Sequence, residues 1–166
     1  MNDTVMIIIA DNLKPFDLAI NYYKNILNKN LSNRILKIII CSSDCLENKK
    51  YCLENGVRTD DIITTFNTSL KSYNPIIVDD NIYNSIAFCK KILDKEYRYF
   101  DKPYPKLIMC VSRKDLKRTE LISKMIYYDS TSINYLYNNE LMTEDDLKNE
   151  DYMIRKFFNH FQSKIN

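Results

Sequence analysis

Val5–Ala10 reads VMIIIA, an unbroken apolar run rich in β-branched side chains that ends at Asp11. A strand with one face in water alternates apolar and polar residues, whereas a run without alternation marks a strand buried on both faces. Ile35–Cys41 (ILKIIIC) and Lys106–Val111 (KLIMCV) repeat the pattern, and Asp61–Phe66 (DIITTF) and Pro75–Val78 (PIIV) are shorter candidates. Helical spacing fills the intervals. Pro15 can open a helix in which Leu18, Tyr22, Ile26 and Ala19, Tyr23, Leu27 recur on one side. Cys45–Asn55 reads as a short helix behind Ser42, Ser43 and Asp44, all good N-cap types, and Gly56 stands where a left-handed cap residue is wanted. Asn81 can cap a helix carrying Ile82, Ile86, Cys89 and Leu93.

This alternation predicts one α/β domain over residues 1–166, a three-layer sandwich with a mainly parallel sheet of about five strands and helices on both faces. Beyond Val111 the pattern turns helical, with Leu116, Leu121, Ile122, Met125 and Ile126 on one helix. Thr143–Asp146 resembles a capping box with Asp in place of Glu, and Leu147, Ile154, Phe157, Phe158 and Phe161 form the apolar face of a last helix. Tyr127–Leu141 reads as a loop or a pair of short elements.

Composition removes several function classes. The chain has 166 residues and a single glycine. The phosphate loop GxxxxGK[ST] and the dinucleotide fingerprint GxGxxG each need more than one, so P-loop hydrolysis and ordinary nicotinamide or flavin binding are excluded. Lys plus Arg is 24 and Asp plus Glu is 22, a net charge of +2, so neither nucleic acid nor an anionic membrane is indicated as the main partner. The 13 tyrosines, without a basic excess, read as packing rather than base stacking. The abundance of Lys, Asn, Ile and Tyr reflects an A/T-rich genome, such as that of a large DNA virus, a parasite or a reduced bacterium. No apolar stretch approaches the roughly 20 residues of a membrane span, and no signal-peptide pattern opens the chain, so a cytoplasmic location is expected, in the host cell for a viral protein. Cys41, Cys45, Cys52, Cys89 and Cys110 contain no CxxC and the chain has one histidine, which leaves no zinc pattern. They read as buried thiols in a reducing compartment.

Open parallel sheets bind ligands outside the carboxyl ends of their strands. The expected strand ends carry Asp11, then Ser42 and Ser43, then Asp79 and Asp80, with Lys71 shortly before the last pair. Asp11 would attack a phosphorus atom as a carboxylate nucleophile. With Asp79 or Asp80 it would also hold Mg²⁺, a hard cation that prefers oxygen ligands. A serine hydroxyl and Lys71 would hydrogen-bond the phosphate oxygens and stabilise developing charge.

The order of these groups resembles the haloacid dehalogenase-like superfamily, through VMIIIADN, LKIIICSSD, SLK and PIIVDDN over roughly residues 5–111. The resemblance implies Asp11 as nucleophile, Ser42 (or Ser43) and Lys71 as phosphate ligands, and Asp11, Asp79 and Asp80 around Mg²⁺. It also implies a capless phosphohydrolase acting on a phosphorylated substrate. The family's phosphatases carry an aspartate two residues after the nucleophile as general acid. Here that position is Leu13, and Lys14-Pro15 follow where the family has Gly-Thr. The expectation is therefore a degenerate member with weak or no turnover. A second stretch, PIIVDDNIYNS, is similar to one in transfer-RNA-directed P-loop kinases, which would make the chain a decayed kinase-like domain. The reading from a different class is a non-catalytic, possibly viral, interaction protein on an enzyme-like fold, bound to a protein partner. His160 reads as a surface or half-buried helix residue, and Arg113, Lys114, Lys117 and Arg118 as the exposed face of a helix.

Overall fold

Strand β1 (Thr4–Ile9) is buried along its whole length and lies at the centre of a parallel sheet, as its unbroken apolar run demands. The computed structural model describes residues 3–10, 12–29, 36–41, 44–64, 81–98, 103–127 and 131–165. β1 is flanked by β2 (Leu36–Cys41) and β4 (Lys106–Val111), and these by β3 (Ile62–Thr64) and β5 (Ile133–Leu136), in the order β3-β2-β1-β4-β5. Every pairing is parallel, with Ile7 opposite both Ile39 and Met109.

Side chains alternate across a strand, so one register builds two cores. Val5, Ile7 and Ile9, with Ile39, Cys41, Leu107, Met109 and Val111, face α3 (Asn81–Leu93) and α4 (Leu116–Tyr127). On the same face α5 (Glu144–Ile165) contributes Phe157, whose ring packs 5.6 Å from that of Tyr83 on α3. Met6, Ile8, Ile38, Ile40, Ile108 and Cys110 face α1 (Lys14–Asn28) and α2 (Cys45–Glu54), meeting Phe16, Ala19, Ile20 and Tyr23. The three-layer α/β sandwich expected from the strand runs is the fold observed. Burying each such aliphatic side chain contributes about 1.5–3 kcal/mol.

Local chemistry sets several element ends as anticipated. Gly56 adopts φ +93° just past α2, and its N–H bonds Leu53 O while Val57 N–H bonds Cys52 O. Thr143 Oγ1 accepts from Asp146 N–H at 3.1 Å and Asp146 Oδ2 accepts from Thr143 N–H at 3.0 Å, a reciprocal cap that starts α5. Ile82, Ile86, Cys89 and Leu93 are the buried stripe of α3.

Other expectations need correction. Tyr127–Leu141 contains strand β5, which pairs with β4 at the sheet edge. It is short and only half-buried, so it carries no apolar run. Asp61 belongs to a 3-10 turn over Thr59–Asp61, and β3 begins after it. Asp44 makes no side-chain cap on α2. Leu147 and Phe158 of α5 are 53% and 40% exposed, because α5 buries the adjacent stripe holding Phe157 and Glu150. Arg118 is not on an exposed face; its side chain is 11% exposed and lies against Asp115 and Glu150. The candidate strand Pro75–Val78 lies outside the described residues. Among the described residues no helix is long and apolar enough to cross a membrane.

Candidate functional site

From β1 the chain runs into α1 on one face of the sheet, and from β4 into α4 on the other. Strand order therefore reverses between these two neighbours, the position at whose carboxyl ends open α/β sheets usually form a ligand crevice. Among the described residues, the polar ones at this point are Asn12 and Ser112.

Asn12 follows β1 and carries both hydrogen-bonding functions of its amide. Its Oδ1 accepts from Lys14 N–H at 3.1 Å, fixing the turn that starts α1. Its Nδ2 donates to Ser112 Oγ at 3.2 Å, joining the loops after β1 and β4 across the crevice. Ser112 is extended (φ −71°, ψ 148°), and its carbonyl accepts from Asp115 N–H to begin the turn that leads into α4.

Two further contacts tie the loop after β5 to the same rim. The Arg113 guanidinium sits 5.0 Å from the ring centroid of Tyr137, a cation–π contact. Lys14 forms an ion pair with Glu140. Three loops along the carboxyl edge are thus laced together, and they bring an amide, a hydroxyl, two cations and the Glu140 carboxylate to one rim. Such a set suits anionic oxygens, to which amides, hydroxyls and cations all donate. Among the described residues of this rim the carboxylate, Glu140, is paired with Lys14. Leu13, the residue before α1, is 46% exposed and offers no proton.

Beside the crevice, between the starts of α4 and α5, lies an open cavity of about 220 Å³ that shares Arg113. Its charges balance, with Arg113, Lys114 and Lys117 set against Glu120, Glu150 and Asp151. Lys117 is engaged with Asp151 at 3.8 Å.

Asp11, Ser42, Ser43, Lys71, Asp79 and Asp80 all lie outside the described residues. Their chain neighbours are described. Ile9 and Cys41 are register partners at the ends of adjacent strands, two residues before Asp11 and one before Ser42. Both edges of β1 are occupied, by β2 and β4, so its partner on the crevice side ends in Ser112 and not in an acidic pair. Among the described residues no group of three or more His, Cys, Asp or Glu could hold a metal ion. Sequence reasoning missed Asn12 and Ser112 because each is an ordinary loop residue until strand order makes them neighbours. His160, as expected, is half-buried on α5. No protein-family model matches the chain, and no curated protein matches it either.

Proposed function

We propose that the chain binds a phosphorylated ligand at the carboxyl edge of its sheet, as a degenerate member of the haloacid dehalogenase-like type with weak or no phosphatase turnover. The observation that carries this reading is the Asn12–Ser112 hydrogen bond where strand order reverses, with Lys14 and Arg113 on the same rim. A phosphate would take Lys14 from Glu140 and Arg113 from Tyr137, and its oxygens match the amide, hydroxyl and cations there, none of which is a general acid. Asp11, Ser42 and Lys71 would complete the phosphate site, and Asp79 and Asp80 with Asp11 would hold Mg²⁺, which would neutralise phosphate charge. Exposed Leu13 accounts for low turnover, because protonation of the leaving group has no donor at that position.

Titration of the full chain with inorganic phosphate, with and without Mg²⁺, tests the reading by amide NMR shifts. Shifts at Asn12 and Ser112 that strengthen with Mg²⁺ and vanish in Asp11→Asn are expected. Unmoved Asn12 and Ser112 resonances at tens of millimolar phosphate overturn it.

One observation favours a second reading, a non-catalytic interaction protein. Leu141 is 97% exposed, and Leu147, Tyr152 and Phe158 stand exposed along α5. A protein partner would cover these residues and protect their amides from exchange. Phosphate binding at the crevice without any partner favours the first reading.

A further inference from the structure

The sheet sorts the five buried cysteines by face. Cys45, Cys52 and Cys110 lie in the core under α1 and α2, and Cys41 and Cys89 in the core under α3 and α4. Cys41 is the last residue of β2, and Cys89 lies on the inward stripe of α3. Their sulfur atoms are 3.0 Å apart, 48 residues distant in sequence. A disulfide bond is about 2.05 Å long, so about 1 Å of side-chain movement separates this contact from a covalent link. The Cys41 sulfur is also 3.9 Å from the Ser85 carbonyl, one helical turn before Cys89, which directs it onto this part of α3.

We propose that Cys41 and Cys89 form a reversible disulfide under hydroperoxide, a redox-controlled staple between the site-facing end of β2 and α3. Cys41 reacts first, because it sits at a strand end and is 5% exposed, whereas Cys89 is wholly buried. Burial and the neighbouring Cys41 sulfur hold the Cys89 thiol protonated. The Cys41 sulfur attacks one peroxide oxygen and the O–O bond breaks. Hydroxide leaves and takes the Cys41 thiol proton as water, and Cys41 becomes a sulfenic acid. The Cys89 sulfur then attacks the Cys41 sulfur, the S–O bond breaks, and the departing hydroxide takes the Cys89 proton as a second water. Two thiols and one hydrogen peroxide give one disulfide and two waters, so the two sulfurs lose two electrons and the peroxide gains them. A dithiol reductant reverses the step.

The pairing is selective for a geometric reason. Cys41 and Cys89 are the two cysteines of one core, with their sulfurs in contact, and Cys45, Cys52 and Cys110 belong to the core on the other face of the sheet. Closing a loop of this length restricts the unfolded chain, so the oxidised form unfolds at a higher temperature, by about 5–10 °C. The proposal does not depend on the phosphate reading.

The test treats the reduced full chain with hydrogen peroxide and follows intact mass, a non-reducing peptide map and the thermal midpoint. Expected are a loss of two hydrogens, one linked peptide pair containing Cys41 and Cys89, a raised midpoint and full reversal by dithiothreitol. Cys41→Ala abolishes the mass loss. The wild-type peptide map is decisive even if a core variant folds poorly. The proposal is overturned by a chain that keeps all its thiol hydrogens while its methionines oxidise. A disulfide that recruits Cys45, Cys52 or Cys110 also overturns it.

Discussion

Glu150 of α5 accepts the backbone N–H of Arg118, in the first turn of α4, at 2.9 Å, and the residue is only 4% exposed. The first N–H groups of a helix have no partner within it, and a carboxylate there also gains from the helix dipole. The other carboxylate oxygen lies 3.9 Å from Arg118 Nε, and the Arg118 guanidinium reaches Asp115 at 3.3 Å. One side chain from α5 therefore starts α4 and faces its guanidinium, which fixes how the last helix docks. Glu150→Ala is expected to cost about 3 kcal/mol, and Glu150→Gln, which keeps an acceptor but loses the charge, roughly half of that. Urea midpoints measure both. A loss below about 0.5 kcal/mol for the alanine variant removes Glu150 from the docking of α5.

This contact also marks a limit of sequence reading. Arg113, Lys114, Lys117 and Arg118 look like one solvated basic face, and contacts with Asp115 and with Glu150, 32 residues away, remove Arg118 from it. What was legible had local causes. Buried parallel strands appear as unbroken runs such as VMIIIA, the α3 stripe recurs at helical spacing, and Gly56 and Thr143 carry their cap chemistry in their own residues. Strand order has no such local signature, because parallel pairing joins distant segments. The Asn12–Ser112 relationship spans 100 residues and could not be read without that order. β5 escaped because exposed Asn134 interrupts a strand of four residues.

At the amino edge of the sheet, opposite the crevice, the Tyr23 hydroxyl donates to Asp61 Oδ2 at 2.5 Å. Arg58 Nε donates to the same carboxylate oxygen at 3.0 Å and to the Tyr23 oxygen at 3.3 Å. Lys37 Nζ, on β2, lies 3.8 Å from Asp61 Oδ1. This network ties α1 to the entry of β3. Tyr23→Phe leaves the buried carboxylate short of a donor and is expected to cost about 1–2 kcal/mol. Because the network sits at the far end of the strands, phosphate-induced shifts at Asn12 and Ser112 should persist unchanged. Their disappearance in a folded Tyr23→Phe protein contradicts this separation of stability from binding.

Stability should fall on the alkaline side, beginning near pH 9. Burial pushes the Cys52 thiol up to about 11 and the Cys110 thiol up to about 12, from an ordinary value of 9.0. Tyr97 and Tyr127 are raised as well, first by burial, with Asp3 adding to the shift at Tyr97 through its hydrogen bond. In each case the folded state holds its proton more tightly than the unfolded state. The stabilisation is complete below the unfolded value and is lost as pH rises towards the folded one. Each thiol contributes a slope of up to about 1.4 kcal/mol per pH unit in that window. Denaturant midpoints at pH 8 and pH 10.5 test the trend, and Cys110→Ala should flatten it. Equal midpoints at the two pH values would show that these thiols ionise alike in both states.

The sharpest functional prediction concerns Leu13. Its side chain is 46% exposed and makes no cap on α1, so replacing it with aspartate disturbs no core contact and should change stability by less than about 0.5 kcal/mol. An acidic residue at the first position before a helix is also compatible with the helix dipole. On the proposed reading, phosphoryl transfer to Asp11 lacks a proton donor for the leaving group, and Leu13→Asp supplies a carboxyl two residues beyond Asp11. A positioned general acid is worth about 10²–10⁴-fold in rate. Hydrolysis of a phenyl phosphate with a poor leaving group should therefore rise in Leu13→Asp by at least ten-fold over the parent chain. An activated nitrophenyl ester, which needs less protonation, should gain less. The gain should depend on Mg²⁺ and disappear in the double variant Asp11→Asn, Leu13→Asp. A folded Leu13→Asp protein that binds phosphate but turns over neither ester would mean that Asp11 is not a nucleophile, leaving the crevice a binding site alone.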